Sequence, residues 1–198
     1  MSDAERIEDD EDLPEDRHYT YADYLEWEGS ERYELIDGKV FQSASPSVAH
    51  QAILGDLFNQ FYNWLREKPY RVFAAPLDVR LFPQEDKSDK TVVQPDLLVV
   101  CDKDKLGKGS VDGPPDLVVE IVSPSNSHPE LFLKFHYYMK AGVREYWVID
   151  SEEKKALVHI YENGHYISSV YENNDHISVT VLPGLNIALE DLWTRIAG

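Results

Sequence analysis

The sequence has almost no cysteine and no long apolar run. Cys101 is its single cysteine, so an internal disulfide and a zinc site made of several cysteines are both excluded. The purely apolar segments are only as long as strands, well short of the roughly 20 residues that a membrane-spanning helix needs. The first residues are acidic, whereas a secretory signal is basic and then apolar. We therefore expect a cytoplasmic protein with no membrane partner.

Basic residues are also scarce. The 19 Lys and Arg residues stand against 37 Asp and Glu residues, which gives a formal net charge of −18. Residues 1–16 hold nine acidic residues and one basic residue, so this segment contributes −8. We predict an acidic disordered tail at 1–18 and a single domain at 19–198. The acidic balance counts against a nucleic-acid ligand, because phosphate contacts depend on Lys and Arg.

The first half of the domain carries clear signals for a hairpin and a long helix. Asp37-Gly38 separates two strand-like segments and predicts an N-terminal β-hairpin, with Glu34 on its first strand. Ser47 is a suitable N-cap for an amphipathic helix, in which apolar residues recur at helical spacing as far as Leu65. This helix is expected to cover one face of a sheet.

The second half predicts a mixed sheet. Two near-continuous apolar segments, 91–100 and 116–122, are typical of central strands that are buried on both faces. A helix over 129–140, ended by Gly142, and a strand over 145–150 complete a strand–helix–strand crossover. Three further strands, at 156–162, 165–172 and 176–182, predict a C-terminal β-meander. The fold class is therefore α/β, a mixed central sheet flanked by helices, with an N-terminal β-hairpin and the C-terminal β-meander.

Asp96 and Glu120 interrupt the two most apolar segments. A carboxylate in such a place has lost most of its water, which costs several kcal/mol unless a cation or hydrogen-bond donors compensate. Two carboxylates on neighbouring strands, with open positions for water and phosphate oxygens, are ligands that suit Mg²⁺. We therefore expect Asp96 and Glu120 to bind Mg²⁺ or Mn²⁺.

These residues also carry a family resemblance. Pro95-Asp96 and Glu120 resemble the PD-(D/E)XK nuclease superfamily, and a longer set of matches is similar to the Uma family of restriction endonucleases within it. The matching segments are Tyr33-Glu-Leu-Ile-Asp-Gly-Lys-Val40, His50, Leu117-Val-Val-Glu-Ile-Val-Ser-Pro-Ser125, Lys134, Tyr138 and Ala141-Gly-Val-Arg-Glu-Tyr-Trp-Val-Ile-Asp150.

The resemblance implies a restriction endonuclease-like fold and a metal-dependent endonuclease that hydrolyses nucleic-acid phosphodiester bonds, with DNA as the expected partner. It implies that Glu34 is an upstream acid that helps to hold metal or water, so Glu34 joins Asp96 and Glu120 as a metal ligand and catalytic residue. A homodimer is also implied, because such a nuclease must address two strands.

The sequence departs from the superfamily motif at the lysine. Val122 stands two residues after Glu120, where Lys is expected, and the resemblance implies that Lys134 on the following helix replaces it as the catalytic lysine. Side chains on a helix lean toward its N-terminus, so Lys134 can reach back toward Glu120, to orient or deprotonate the attacking water or to stabilise phosphate. The alternative is a surface ion pair with Glu130, four residues earlier.

The other site residues have alternatives as well. Asp96 can cap a turn after Pro95, and Glu120 can belong to a buried structural ion pair with Lys134. Glu34 can point outward from the hairpin. For three more residues we favour a structural explanation over a role in the site. Asp78 is explained as a solvated acid, Tyr138 as an aromatic residue packed on the sheet, and His50 as a polar residue of the core.

Two other functions remain open from the sequence. A noncatalytic interaction module with the same fold would suit the acidic surface and the missing lysine at position 122. A metal-dependent hydrolase of small phosphates or nucleotides would suit an acidic enzyme better than duplex cleavage does. For the nuclease, a phosphate-binding rim is a hypothesis worth testing, although a lysine-rich loop is usually only a solvated loop. Its lysines would be those in the loops around the Asp96 strand, namely Lys87, Lys90, Lys103, Lys105 and Lys108.

Overall fold

The computed structural model describes residues 17–27, 29, 31–122 and 128–194. The predicted tail at 1–18 lies almost entirely outside these residues. The helices are α1 (Tyr21–Tyr24), α2 (Val48–Leu65), α3 (His128–Ala141) and α4 (Leu189–Thr194). The strands are β1 (Tyr33–Ile36), β2 (Lys39–Gln42), β3 (Arg71–Ala74), β4 (Asp78–Arg80), β5 (Val92–Val93), β6 (Leu97–Val100), β7 (Ser110–Asp112), β8 (Leu117–Val122), β9 (Glu145–Asp150), β10 (Lys155–Glu162), β11 (His165–Glu172), β12 (His176–Ser178) and β13 (Asn186–Ala188).

The central sheet has six strands in the order β11-β10-β9-β8-β6-β3. Strands β8 and β9 are parallel and α3 connects them, which confirms the predicted crossover. The other neighbours in this sheet are antiparallel, so the sheet is mixed. Helix α2 packs on one face together with α4. The fold class predicted from the sequence is therefore confirmed.

A second sheet of five strands, in the order β2-β1-β5-β4-β7, carries the predicted hairpin. Asp37 and Gly38 adopt φ values of 56° and 77°, the left-handed conformations that a tight two-residue hairpin turn requires. Strand β1 pairs with β5, and apolar residues of this sheet pack with α3 against the second face of the central sheet. The hairpin is thereby drawn into the core.

Two local predictions were wrong. The segment 91–100 is not one strand: it is divided between β5 in the five-stranded sheet and β6 in the six-stranded sheet. Pro95 lies at the break, where its missing N–H cannot take part in a strand ladder. The meander also stops after β11, since β12 pairs with β13 and forms a separate two-stranded sheet.

The helix termini follow the predicted capping. The Ser47 side chain accepts a hydrogen bond from the backbone N–H of His50 at 3.1 Å and starts α2. Gly142, with φ of 87°, donates its N–H to the carbonyls of Tyr138 and Met139 and ends α3. No helix within the described part of the chain combines the length and apolarity that crossing a bilayer would require.

Candidate active site

The site lies where the two sheets meet, at the break between β5 and β6. Strands β6 and β8 are antiparallel with Leu97 opposite Val119, so Asp96, just before β6, lies beside Glu120. The backbone N–H of Ile121 donates to Asp96 Oδ2 at 2.7 Å. The turn-capping alternative does not describe this contact, because the Asp96 carboxylate accepts its hydrogen bond from β8.

Glu34 points into the same space. Its side chain is buried, with 3% of the residue exposed, and it accepts a hydrogen bond from the backbone N–H of Gln94. The hairpin packs against β5 on one side, with Leu35 opposite Val92, and this contact turns Glu34 inward. The alternative of an outward Glu34 is thus wrong, and Glu34 lies in the site.

Lys134 is the cation of the site. Only 6% of Lys134 is exposed, and its Nζ lies 2.9 Å from Glu34 Oε2 and 2.9 Å from Glu120 Oε1. A lysine confined to a surface pair with Glu130 would be exposed, so that alternative is wrong. The buried ion pair between Glu120 and Lys134 is present, as the other alternative expected.

Tyr138, one helical turn after Lys134, reinforces this arrangement. Its hydroxyl donates to Glu120 Oε1 at 2.7 Å and its ring is fully buried against Tyr146. Tyr138 therefore has both roles: it packs on the sheet, as we favoured, and it also fixes a carboxylate of the site.

The charges of the site do not balance. Three carboxylates, Glu34, Asp96 and Glu120, surround the single lysine that contacts two of them. Burial raises the pKa of Glu120 to about 8, against the opposing effect of Lys134, and the charges of Asp96 and Glu34 add to the rise. Glu120 and Glu34 hold the pKa of Lys134 well above its usual value despite burial. Lys134 is therefore a permanent cation in a site with excess negative charge.

A cavity of about 100 Å³ opens onto these groups. The lining contains the four predicted residues and also residues for which we predicted no role in the site: Arg32, Gln42, Ser43, Gln51, Gln94 and Glu130. The first three lie at the ends of the hairpin strands, opposite the turn. The hairpin register, read from Asp37-Gly38, was the signal that could have placed them beside Glu34.

His50 also lines the cavity. Its Nε2 lies 3.0 Å from Asp96 Oδ1, and the residue is 7% exposed. His50 is thus a buried polar residue, as expected, but its partner is a carboxylate of the site.

Two groups of residues stay outside the cavity. Asp78 is half-buried and accepts hydrogen bonds from the hydroxyl of Tyr24 and the side-chain amide of Gln94, so it supports the lining from behind. None of the five loop lysines lines the cavity. Lys103, Lys105 and Lys108 follow the end of β6 opposite Asp96, so they cannot form the expected rim.

The carboxylates do not form a ready-made metal cage. Among the residues that the structure describes, no group of three or more His, Cys, Asp or Glu side chains is arranged to hold a metal ion. Lys134 lies between two of the acids instead. Any ion would therefore bind mainly through Asp96 and Glu120, with water or substrate as its other ligands.

Comparisons with known proteins agree with this architecture. Residues 21–190 match the Uma2 family model, described as "Putative restriction endonuclease". Two uncharacterised proteins of Synechocystis sp. are similar to this chain. The first is 24% identical over 179 residues, which cover 88% of this chain and 91% of that protein. The second is 27% identical over 136 residues, which cover 66% of this chain and 74% of that protein. The crystal structure of a "putative nuclease belonging to DUF820" from Anabaena variabilis is also similar, with a TM-score of 0.73 and 21% sequence identity. The superposition covers 90% of this chain and 99% of that one, so the two proteins share the fold.

Proposed function

We propose, since this chain belongs to the Uma2 family of restriction endonuclease-like proteins, that it is a metal-dependent endonuclease that hydrolyses DNA phosphodiester bonds. The observation that carries this proposal is the excess of buried negative charge. Three carboxylates share one lysine, and a divalent cation would bring the formal charge of the four side chains and the ion to zero. Such an enzyme would work in the cytoplasm, where it meets DNA.

The donor set fits Mg²⁺ or Mn²⁺. Carboxylate oxygens are hard ligands, and Mg²⁺ commonly uses one or two carboxylates and keeps its remaining positions for water and substrate phosphate. Asp96 and Glu120 would hold the ion, and Glu34 would hold it through water or directly. When bound, the ion would make an attacking water more acidic and neutralise charge on the phosphoryl group.

The side chains divide the remaining work. Lys134 stays protonated between Glu34 and Glu120, so it cannot take a proton from water; it instead stabilises negative charge on a phosphoryl oxygen. Tyr138 holds Glu120 through its hydroxyl. Arg32, the other Lys or Arg in the lining, is placed to bind a neighbouring phosphate.

The size of the cavity favours a polymer over a small phosphate substrate. Pockets that enclose whole small molecules usually measure about 300–1,000 Å³, and this one measures about 100 Å³. A single phosphodiester group that reaches in from a strand needs far less enclosed space than a nucleotide. The acidic surface remains the argument for the small-phosphate alternative, because it would oppose a second contact with DNA.

Cleavage assays test the proposal. We expect Mg²⁺ or Mn²⁺ to support cutting of plasmid and short duplexes, chelator to stop it, and Asp96→Asn to lower the rate at least about 100-fold, the scale of losing one electrostatic group from an active site. Asp86→Asn, in an exposed loop, is the matched control and should cut normally.

Three other results would each replace the proposal. Cutting that survives chelator or Asp96→Asn would show a metal-independent activity or a contaminant. Turnover of nucleotides without turnover of polymer would establish the small-phosphate hydrolase. If neither substrate is cut and calorimetry detects no Mg²⁺ or Mn²⁺ binding, the noncatalytic interaction module is the better description.

We also infer a homodimer, and the outer edge of β11 is the surface that supports it. Strand β11 ends the six-stranded sheet, and both of its faces are largely exposed, including Ile167 and Val170. Residues 166–171 carry no charge, whereas natural edge strands are usually protected by charges or proline. In a strongly acidic chain, such a neutral edge is where two copies can approach with little repulsion.

An antiparallel pair of β11 strands also has a workable register. Residues that face each other across such a pair must lie on the same face of the sheet. With Ser168 on the twofold axis, Tyr166 of one copy faces Val170 of the other and Ile167 faces Ser169. No like charges meet in this register.

Sedimentation velocity tests the dimer. The wild type is expected to sediment at twice the 22.8 kDa of the chain, and Val170→Lys to sediment as a monomer, because it places a charge within the neutral edge. Tyr62→Lys, which charges an exposed aromatic residue on α2, should remain dimeric. A monomeric wild type at the highest soluble concentration would rule out the dimer, and a dimeric Val170→Lys would rule out this edge.

A further inference from the structure

His50 makes one contact that a histidine buried for packing alone does not require. Its Nε2 lies 3.0 Å from Asp96 Oδ1, while the backbone N–H of Ile121 donates to Asp96 Oδ2. Both oxygens of this carboxylate are thus held, one from α2 and one from β8. Asp96 therefore has a fixed orientation before any ligand binds.

The chemistry of the pair determines which nitrogen of His50 carries hydrogen. An ionised carboxylate only accepts hydrogen bonds, so Nε2 must be the donor. The other ring nitrogen, Nδ1, is buried and has no hydrogen-bond partner among the described residues. A buried polar atom without a partner is costly, so a purely structural role leaves Nδ1 unexplained.

Helix α2 is well suited to fix this imidazole. Ser47 caps the helix and binds the backbone N–H of His50, which anchors the residue in the first turn. The following residues of the helix, Ile53, Leu54 and Leu57, pack in the core against the central sheet. The ring of His50 is therefore held by the helix and the sheet together, and small movements of α2 would be transmitted to Asp96.

We propose that His50 is a positioning residue: it holds Asp96 Oδ1 in the orientation in which this carboxylate binds the divalent ion. This inference rests on the proposed metal-dependent function. Groups that orient a metal ligand through a hydrogen bond typically change metal affinity 10–100-fold when they are removed. His50 has that relation to Asp96, because its Nε2 contacts Oδ1 of this proposed metal ligand.

Mg²⁺ calorimetry on three variants tests the role of His50. In His50→Gln, the amide nitrogen replaces Nε2 as the donor to Asp96, so we expect the Mg²⁺ dissociation constant to stay within about threefold of the wild type. His50→Leu has no hydrogen-bond donor, and the side chain of His50→Asn is too short to reach Asp96. In both variants we expect the Mg²⁺ dissociation constant to rise about 10–100-fold. Thermal unfolding without metal serves as the control for folding, and two removal variants are used in case one does not fold.

A second measurement needs no metal. Nitrogen-15 NMR of the metal-free wild type should show the His50 ring protonated at Nε2 and unprotonated at Nδ1, and the Nε2 resonance should shift in Asp96→Asn. Hydrogen on Nδ1 alone would overturn the inference, because Nε2 could then not donate to Asp96.

The outcomes separate this inference from the function on which it rests. If the wild type binds Mg²⁺ and His50→Leu binds it equally well, His50 does not position Asp96, and the metal-dependent function stands. If His50→Gln loses as much affinity as His50→Leu, the ring has a role other than donating to Asp96, and the inference fails. If the wild type binds neither Mg²⁺ nor Mn²⁺, both the function and the inference fall.

Discussion

Replacing Lys134 with methionine is expected to lower the free energy of unfolding by about 3–5 kcal/mol at neutral pH, the usual effect of removing one partner from a buried ion pair. Methionine keeps an unbranched side chain of similar length, so the main change is electrostatic. Glu34 and Glu120 would remain buried beside Asp96 without their cation. Urea denaturation of wild type and variant measures the difference.

Lys140→Met is the matched control for this prediction. Lys140 lies in the last turn of the same helix and is exposed, so its replacement should change stability by no more than about 0.5 kcal/mol. The loss for Lys134→Met should also grow as the pH rises above about 8, the pKa of Glu120, because Glu120 then ionises without its cation. A loss below 1 kcal/mol for Lys134→Met would mean that this ion pair behaves like a solvent-exposed one.

Glu120→Gln is expected to abolish Mg²⁺ binding and, at alkaline pH, to make the metal-free protein more stable. Burial and the charges of Asp96 and Glu34 raise the pKa of Glu120 from its ordinary value of 4.5 to about 8. Between these values the native state binds more protons than the unfolded state, so this residue's contribution to stability falls as pH rises through the interval. The neutral amide of glutamine removes this loss of stability. We expect the free energy of unfolding of the metal-free variant to be about 1 kcal/mol higher than that of the wild type at pH 9, the usual scale for a stabilising substitution at a functional site.

The same linkage sets the pH dependence of the metal effect. If Glu120 holds the ion as proposed, Mg²⁺ and the proton compete for it, so a fixed Mg²⁺ concentration should raise the melting temperature of the wild type more at pH 9 than at pH 6. Glu120→Gln should show no Mg²⁺ effect at either pH. An equal metal effect at both values in the wild type would show that Glu120 does not take part in binding.

A conservative change nearby provides the control for these experiments. Glu130→Gln removes a carboxylate that also lines the cavity but leaves the three buried acids in place. It should retain Mg²⁺ binding and its pH dependence. If Glu130→Gln lost binding as completely as Glu120→Gln, the site would depend on total charge in the cavity and not on the geometry of particular ligands.

Local sequence signals predicted the parts of this fold that local chemistry determines. Asp37-Gly38 specified the hairpin because few other dipeptides tolerate two successive left-handed conformations. Ser47 and Gly142 marked helix ends through hydrogen bonds that lie within a few residues of each cap. The pairing of Asp96 with Glu120 followed from two adjacent apolar segments, and it required no knowledge of loops or of distant contacts.

The sequence left alternatives open, or indicated the wrong structure, where contacts between distant parts of the chain determine the result. The inward direction of Glu34 depends on contacts of the hairpin with β5 and α3, and no periodicity within four residues of strand can reveal that. The break between β5 and β6 could have been predicted from the missing N–H of Pro95, but the apolar residues on both sides indicated one continuous strand. The contact of His50 with Asp96 joins a helix to a strand start far along the chain, so its sequence neighbours carry no trace of it.

The position of the site at the junction of the two sheets has a consequence for biosynthesis. Glu34 and Lys134 are about a hundred residues apart in sequence, and contacts that close such long loops form late in folding. A chain emerging from the ribosome presents the hairpin and then Asp96, but it has no cation to hold them until α3 is made and docked. Glu34, Asp96, Glu120 and Lys134 thus come together only after α3 has docked, so a shorter nascent chain could not carry out the proposed cleavage.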